Sequence, residues 1–201
     1  MPASSRRLRT VLRIGEVFLG VVGVIALGLY GFLTWQTHIF QEREKEYLAS
    51  LSKAYKGPKS TLPPSTQSGH FIGQIDVPRI GISAIILEGN DSRTLRLGVG
   101  HIPGTALPGE PGNIGLAGHR DTFFRALRGI RPNDEIRLST IRETYSYVVD
   151  WKKIVKPTAT EVLDESDGRI LTLVTCFPFY YVGSSPERFI VRAHLTPGSH
   201  P

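Results

Sequence analysis

The sequence predicts an all-β domain, either a barrel or a sandwich, that follows one N-terminal helix long enough to cross a membrane. Residues 17–35 carry no charge, and after residue 70 the apolar runs are short and separated by glycines and prolines. Only one later segment, 121–128, has the spacing of an amphipathic helix, and it is barely two turns long. Several short strands with turn residues between them are typical of a barrel or a sandwich.

The predicted membrane anchor is the segment V-F-L-G-V-V-G-V-I-A-L-G-L-Y-G-F-L-T-W, residues 17–35. As a helix rising about 1.5 Å per residue it would span about 28 Å, close to the hydrocarbon thickness of a bilayer. Four arginines precede it, so the N-terminal tail, residues 1–16, is expected to stay in the cytoplasm. A cleaved signal peptide is the alternative, but T-W-Q-T-H-I-F stands where a small-residue cleavage site would be expected.

Beyond the anchor the chain changes composition before the folded domain begins. Residues 36–69 combine a charged, helix-compatible stalk with a linker rich in proline, serine and threonine, which cannot pack a core. We expect the folded domain to occupy residues 70–201, on the outer side of the membrane. Its candidate strands are F-I-G-Q-I-D-V-P, I-S-A-I-I-L, N-I-G-L-A-G-H, D-E-I-R-L-S, T-Y-S-Y-V-V-D-W, R-I-L-T-L-V-T-C and R-F-I-V-R-A-H-L.

Composition argues against several classes of function. The single cysteine, Cys176, allows no intramolecular disulfide and no cysteine-rich metal site. The formal charge is +6, but much of it comes from the four N-terminal arginines, and no basic patch interleaved with aromatic residues follows. We therefore expect no nucleic-acid partner.

Two residue types with catalytic potential stand where predicted strands run out into loops. Cys176 ends the run L-T-L-V-T-C, and a free cysteine is often only a small, buried hydrophobe. A nucleophilic cysteine needs a proton-transfer partner and a donor for the oxyanion formed on attack. His119 follows the strand-like N-I-G-L-A-G, and His101 in V-G-H-I-P-G is its closest rival.

These segments together resemble the sortase family. The resemblance rests on T-L-V-T-C followed by a proline-containing loop and an arginine that opens the last strand. It also rests on A-G-H-R-D, whose histidine lies 57 residues before the cysteine, and on H-I-P-G-T-A-L-P-G-E-P-G-N. The similarity covers about residues 70–196 and is strongest toward the class D and class C branches. It implies a closed eight-stranded β-barrel with short helices and a cysteine transpeptidase activity.

The resemblance also implies roles for individual residues. Cys176 would attack the Thr carbonyl of a C-terminal sorting signal related to Leu-Pro-x-Thr-Gly and form a thioacyl-enzyme. His119 would carry the proton to the leaving amine and from the incoming one, which belongs to an acceptor on the cell surface. Arg188 would bind the substrate and stabilise the oxyanion. His101 and Thr175 are the further positions at which we expect substrate binding.

Periodicity alone does not choose between two arginines of the last predicted strand. In R-F-I-V-R-A-H-L, Arg188 and Arg192 alternate to the same face, about 13 Å apart at about 3.3 Å per residue. If this strand pairs with the one that ends at Cys176, the residue at its start lies nearest the sulfur. That position, like the resemblance, favours Arg188.

Two departures bear on the branch of the family and on metal binding. Class C enzymes usually carry an Asp-Pro-aromatic lid element, and residues 57–69 have none, which favours a class D-like enzyme. Calcium-assisted members use acidic loop residues. The acidic candidates in the corresponding loops are Glu161, Asp164, Glu165, Asp167 and Glu110. A solvated acidic loop explains these residues better than a calcium site does, so we expect no metal site and no required cofactor.

Two other functions remain open at this stage. The same thiol chemistry could serve a hydrolase that trims sorting signals, with water as the acceptor. A non-catalytic β-barrel that binds a surface partner would need neither the thiol nor the histidine.

Overall fold

The computed structural model describes residues 13, 15–32, 35, 39, 42, 69–181 and 183–197. The chain divides into two compact units, Met1–Phe40 and Gln41–Pro201. Most of the predicted tail (1–16) and of the predicted stalk and linker (36–69) lies outside the described residues, so those boundaries stay predictions.

In the first unit, helix α1 (Gly15–Phe32) overlaps the predicted anchor. It has 18 residues with a mean hydropathy of 1.8, and its side chains are exposed. By length and composition it could cross a membrane. Signal sequences near an N-terminus share these properties.

The second unit is a closed barrel of eight strands, which confirms the predicted fold. The spatial order is β1-β2-β3-β4-β7-β8-β6-β5, and β5 pairs back onto β1. Strands β2 with β3 and β4 with β7 are parallel, and the other neighbours are antiparallel. The strands are β1 (Phe71–Val77), β2 (Ile82–Glu88), β3 (Val99–His101), β4 (Gly112–Ala117), β5 (Glu135–Ser139), β6 (Thr144–Val155), β7 (Arg169–Phe177) and β8 (Glu187–Leu195).

Short helical segments connect the strands. They are helix α2 (Thr94–Leu97) and the 3-10 turns Pro78–Ile80, Arg125–Gly129 and Thr160–Leu163. The helix predicted over 121–128 is therefore only a turn that ends in a 3-10 segment. The fully buried residues in and just after this segment, Phe124, Leu127 and Ile130, recur every third position, which suits three residues per turn better than 3.6.

Strand alternation separates the core from the outer face of the barrel. In β8, Phe189, Val191 and Ala193 point into the core cluster, as the sequence pattern predicts. In β7, Leu171 and Leu173 are fully buried in the same cluster. The alternate positions of both strands therefore lie on the outer face, where Cys176 and Arg188 are found.

One buried carboxylate ties the start of β5 to the neighbouring turns. Asp134, only 7% exposed, forms an ion pair with Arg79 and accepts a 2.7 Å hydrogen bond from the backbone N–H of Arg131. Arg79 also donates to the carbonyl of Gly129 at 2.6 Å. The pKa of Asp134 is held below its ordinary value, chiefly because Arg79 donates hydrogen bonds to the carboxylate.

Asp134→Asn should therefore lower the free energy of unfolding near pH 7 by about 1–3 kcal/mol, because it removes charge-assisted hydrogen bonds. Since the pKa is lower in the folded than in the unfolded chain, protonation of the carboxyl favours unfolding. The stabilisation is complete above the unfolded pKa of about 4 and is lost as the pH falls through the lower folded value.

Urea denaturation of wild type and variant at neutral and at acidic pH measures this dependence. The difference between the two proteins should shrink toward acidic pH, whereas the exposed control Asp167→Asn should match wild type throughout. A difference that stays constant across the range would contradict the assignment.

Candidate active site

The single thiol lies near the end of β7, on the outer face of the barrel. Cys176 is partly exposed, and its neighbour Thr175 is buried at 2% exposure. The thiol is thus accessible from outside while its strand stays anchored in the core. The alternative in which the cysteine is only a buried packing residue does not fit this position.

The parallel pairing of β4 with β7 brings the histidine to the cysteine. Ala117 at the end of β4 lies opposite Val174. Two residues further along each chain are His119 and Cys176, so the continued register places the imidazole-bearing residue beside the thiol-bearing one. Period-two alternation puts both on the same outer face.

Hydrogen bonds beyond the last ladder pair hold the histidine segment against β7. The backbone N–H of Gly118 donates to the carbonyl of Val174 at 3.1 Å, and the Thr175 hydroxyl donates to the carbonyl of Gly118 at 2.7 Å. A Cβ atom at position 118 would lie 2.7 Å from the ring of Phe124, so only glycine fits here. Thr175 therefore faces the interior, where it positions the residue before His119.

The antiparallel pairing of β7 with β8 brings the arginine to the other side of the thiol. Cys176 lies directly opposite Arg188, so the strand pairing on which the choice between the arginines depended is present. The Arg188 guanidinium donates to the backbone carbonyls of Ser185 at 3.3 Å and Glu187 at 3.0 Å. Arg192 lies four residues further along β8, away from the thiol.

Arg192 has a different task, which sequence analysis missed. Its Nη2 donates at 2.6 Å to the carbonyl of Val162, in the loop between β6 and β7, and its guanidinium lies 5.4 Å from the Trp151 ring centroid. Asn113 on β4, 2% exposed, donates from Nδ2 to Val162 at 3.0 Å and to the carbonyl of Asp164 at 3.1 Å. These two side chains hold the β6–β7 loop (156–168) on the outer face.

A polar residue inside an otherwise apolar strand was the signal that could have revealed this contact. Asn113 begins the run N-I-G-L-A-G. Its side-chain amide oxygen, Oδ1, accepts a 2.7 Å hydrogen bond from the buried hydroxyl of Thr172 on β7. Buried amides and hydroxyls must find partners, so two such residues in neighbouring strands indicate an organised contact.

His101 lies in the interior, and both of its ring nitrogens have hydrogen-bond partners. It is 3% exposed, its Nδ1 is 2.8 Å from a carboxylate oxygen of Glu88, and its Nε2 is 3.0 Å from both the Ala106 carbonyl and the Thr105 hydroxyl. These contacts tie the β3–β4 loop to β2 and β3. A substrate-binding role would require breaking them, so His101 does not enter the site described here.

The described residues contain no group of three or more His, Cys, Asp or Glu side chains placed to hold a metal ion. Of the acidic loop residues that the sequence offered as calcium ligands, Glu161, Asp164, Glu165 and Asp167 are exposed in the β6–β7 loop. Glu110 instead accepts a 3.0 Å hydrogen bond from the backbone N–H of Leu107 in its own loop.

Together, β7, β8 and the segment just beyond β4 carry the groups that a thiol-based acyl-transfer site would need. A thiol provides the nucleophile, an imidazole can give and take a proton, and a guanidinium offers a planar set of donors to a developing oxyanion. Cys176 stands between His119 and Arg188, with one neighbour on each side.

Comparisons with known proteins agree with this geometry. The family model of the sortase domain matches residues 75–196. Sortase D of Bacillus subtilis (strain 168) is 30% identical over 186 residues, which cover 87% of this chain and 94% of that protein. The solved structure of a Clostridium perfringens Sortase D5 transpeptidase has a TM-score of 0.64 at 28% identity, covering 80% of this chain and 98% of that one. Sortase C of Clostridium perfringens, solved with its C-terminal cell wall sorting motif, has a TM-score of 0.61 at 28% identity, covering 76% and 85%. The chain therefore belongs to the sortase family of cysteine transpeptidases.

Proposed function

We propose that this sortase cleaves a sorting signal related to Leu-Pro-x-Thr-Gly and transfers the new acyl group, through a thioacyl-enzyme, to an amine on the cell surface. The observation that carries the proposal is the alignment of Cys176 on β7 with Arg188 on β8 and with His119, which lies two residues beyond the end of β4. The substrates are proteins that bear the signal at their C-termini, which the solved structure of the related sortase C with the C-terminal cell wall sorting motif supports.

In the first half-reaction the Cys176 sulfur, as thiolate, attacks the Thr carbonyl carbon of the signal. The C–N bond to the following glycine breaks, and His119 protonates the departing amine. In the second half-reaction an acceptor amine attacks the thioester carbon and passes its proton to His119. The C–S bond then breaks and the thiolate returns.

Arg188 is suited to the oxyanion that forms at each attack. Its present partners, the backbone carbonyls of Ser185 and Glu187, are neutral acceptors. An oxyanion is a stronger acceptor for a guanidinium than a neutral carbonyl is, because the hydrogen bond is charge-assisted. We therefore expect Arg188 to turn toward the substrate oxygen during the reaction.

We further propose that the chain is a single-pass membrane protein with residues 1–16 in the cytoplasm and the catalytic domain outside. An apolar helix near the N-terminus and the family fit a membrane-anchored protein. The orientation rests on the four arginines that precede the helix. Protease added to spheroplasts should digest the domain and spare a tag at residue 1, and the reverse would refute the orientation.

Transfer to an amine should exceed hydrolysis. Full-length enzyme in detergent should convert a fluorescent sorting peptide mainly to the amide when a library of amines is present, and slowly to the free acid when none is. Mass spectrometry distinguishes the two products. Cys176→Ala should abolish both products and the mass of the thioacyl-enzyme, while His119→Ala should cripple turnover.

The three candidate functions give different results in this assay. Free acid as the sole product with every amine would indicate the trimming hydrolase. Absence of any thioacyl-enzyme, together with weak labelling of Cys176 by an alkylating probe, would indicate a non-catalytic binding module.

Substitution by lysine should affect activity differently at the two arginines of β8. Arg188→Lys should lower kcat/KM by at least about tenfold, because an ammonium cannot reproduce the planar pair of donors that faces the oxyanion. Arg192→Lys should keep most of the activity, since an ammonium can still donate one hydrogen bond to the carbonyl of Val162. Steady-state kinetics on a sorting peptide compare them, and the reverse order of severity would overturn the assignment.

Calcium should not be required. The Val162 carbonyl already accepts hydrogen bonds from Asn113 and Arg192, so the β6–β7 loop is held without an ion. We expect kcat/KM to change by less than about twofold between EDTA and added calcium, whereas Asn113→Ala should lower it about tenfold, because the Asp164 carbonyl and the Thr172 hydroxyl lose their hydrogen bonds to Asn113. A tenfold stimulation of the wild type by calcium would contradict this expectation.

A further inference from the structure

The described residues of the loop between the thiol and Arg188 are not held by backbone–backbone hydrogen bonds. It runs from residue 178 to residue 186, between the end of β7 and the start of β8. Among its described residues, 178–181 and 183–186, no backbone–backbone hydrogen bond is present. A loop of this length without such bonds needs side chains to fix its course.

One side chain from outside the loop, that of Arg120, donates four hydrogen bonds to it. The Nη1 atom of Arg120 donates to the carbonyl of Pro178 at 3.0 Å and to the hydroxyl of Ser185. Its Nη2 atom donates to the carbonyls of Tyr181 at 2.6 Å and Gly183 at 3.3 Å. The guanidinium also lies 5.9 Å from the ring centroid of Tyr181. One guanidinium therefore contacts the beginning, the middle and the end of the loop.

The partners explain why the residue is an arginine. All four are neutral oxygen atoms, and no carboxylate forms an ion pair with Arg120 in the described part of the chain. A guanidinium offers five N–H donors in one plane and keeps its charge without an acidic partner. A lysine ammonium has three donors at a single point and cannot reach acceptors spread along a loop.

The position of Arg120 links the loop to the rest of the site. It follows His119 directly in the chain, and Pro178 lies two residues after Cys176. The hydroxyl of Ser185 accepts from Arg120, while the carbonyl of the same residue accepts from Arg188. The loop is thus attached to the histidine segment at one side and supports Arg188 at the other.

We propose that Arg120 is a positioning residue that fixes the β7–β8 loop and, through Ser185, the resting place of the Arg188 guanidinium. Among the described residues, its side-chain hydrogen bonds go to the loop and not to the Cys176 thiol. Its loss should therefore impair the chemical steps more than substrate binding. The catalytic part of this inference rests on the proposed function, whereas the attachment of the loop does not.

The attachment is tested by limited proteolysis, without any substrate. Tyr180 and Tyr181 are 77% and 46% exposed in the loop and offer chymotrypsin its preferred side chains. Cleavage after them in the full-length protein should be about tenfold faster in Arg120→Gln, because the loop loses its charged donor. Arg120→Lys should lie between the two. Mass spectrometry of the fragments gives the rates.

Arg125→Gln is the matched control. It removes the same charge five residues away, from an exposed side chain that makes no hydrogen bond or ion pair with the described residues. Chymotrypsin should cleave the β7–β8 loop of this variant at the wild-type rate. Equal cleavage of Arg120→Gln and wild type would overturn the proposal, and equal acceleration in Arg125→Gln would assign the effect to charge instead of the contacts.

The catalytic consequence is read from the split between kcat and KM. Arg120→Gln should lower kcat about tenfold with little change in KM, Arg120→Lys should recover part of the loss, and Arg125→Gln should match wild type. Ser185→Ala, which removes one acceptor only, should lower kcat less, and its effect should not add to that of Arg120→Gln. Additive effects, or a loss confined to KM, would overturn the positioning role.

The design separates this inference from the proposed function. If the wild type turns over no sorting peptide, the proposed substrate is wrong, but the proteolysis experiment still decides the attachment. Should Arg120→Gln fail to fold, as judged by circular dichroism, Ser185→Ala and Arg120→Lys report on the same contacts. A wild-type cleavage rate in both would then refute the attachment.

Discussion

The site depends on the register of β7 with its two neighbours. The parallel ladder with β4 leads His119 to one side of Cys176, and the antiparallel ladder with β8 sets Arg188 opposite it. A slip by one residue would turn each side chain to the other face of the sheet. The inward residues of the same strands, Leu173 and Val191 among them, are fully buried, so such a slip would also expose the core. Packing of the barrel and alignment of the site are therefore one constraint.

The loops around the site are held by a different device. Asn113 and Arg192 donate to carbonyls of the β6–β7 loop, and Arg120 donates to carbonyls of the β7–β8 loop. In each case side chains from outside an irregular segment donate hydrogen bonds to the backbone carbonyls of that segment. Arginine suits this task because its charge persists without a carboxylate partner. Strand pairing thus sets the positions of Cys176 and Arg188, and side-chain hydrogen bonds hold the two loops beside them.

Much of the fold could be predicted because strand periodicity is local. The seven predicted strands lie within a few residues of those observed, and the alternation in β8 is as expected. The three-residue β3 was missed since V-G-H is too short to show a period. The segment 121–128, which has helical spacing, forms a turn and a 3-10 segment instead, because the residues buried in the core, Phe124, Leu127 and Ile130, are three positions apart. The bonds of Arg120 span about sixty residues of sequence, and no local pattern reports a contact of that kind.

The two histidines show what separates a candidate catalytic residue from a structural one. His101 and His119 both lie at the end of a short apolar run, so the local sequence does not distinguish them. His101 is still within its ladder, opposite Glu88, and its ring is enclosed by a carboxylate and two further oxygen atoms. His119 lies just beyond its ladder, where the strand has ended, and it is partly exposed. The neighbour across the sheet, which the sequence does not reveal, determines that the ring of His101 is engaged within the fold, and His119 remains the candidate for proton transfer.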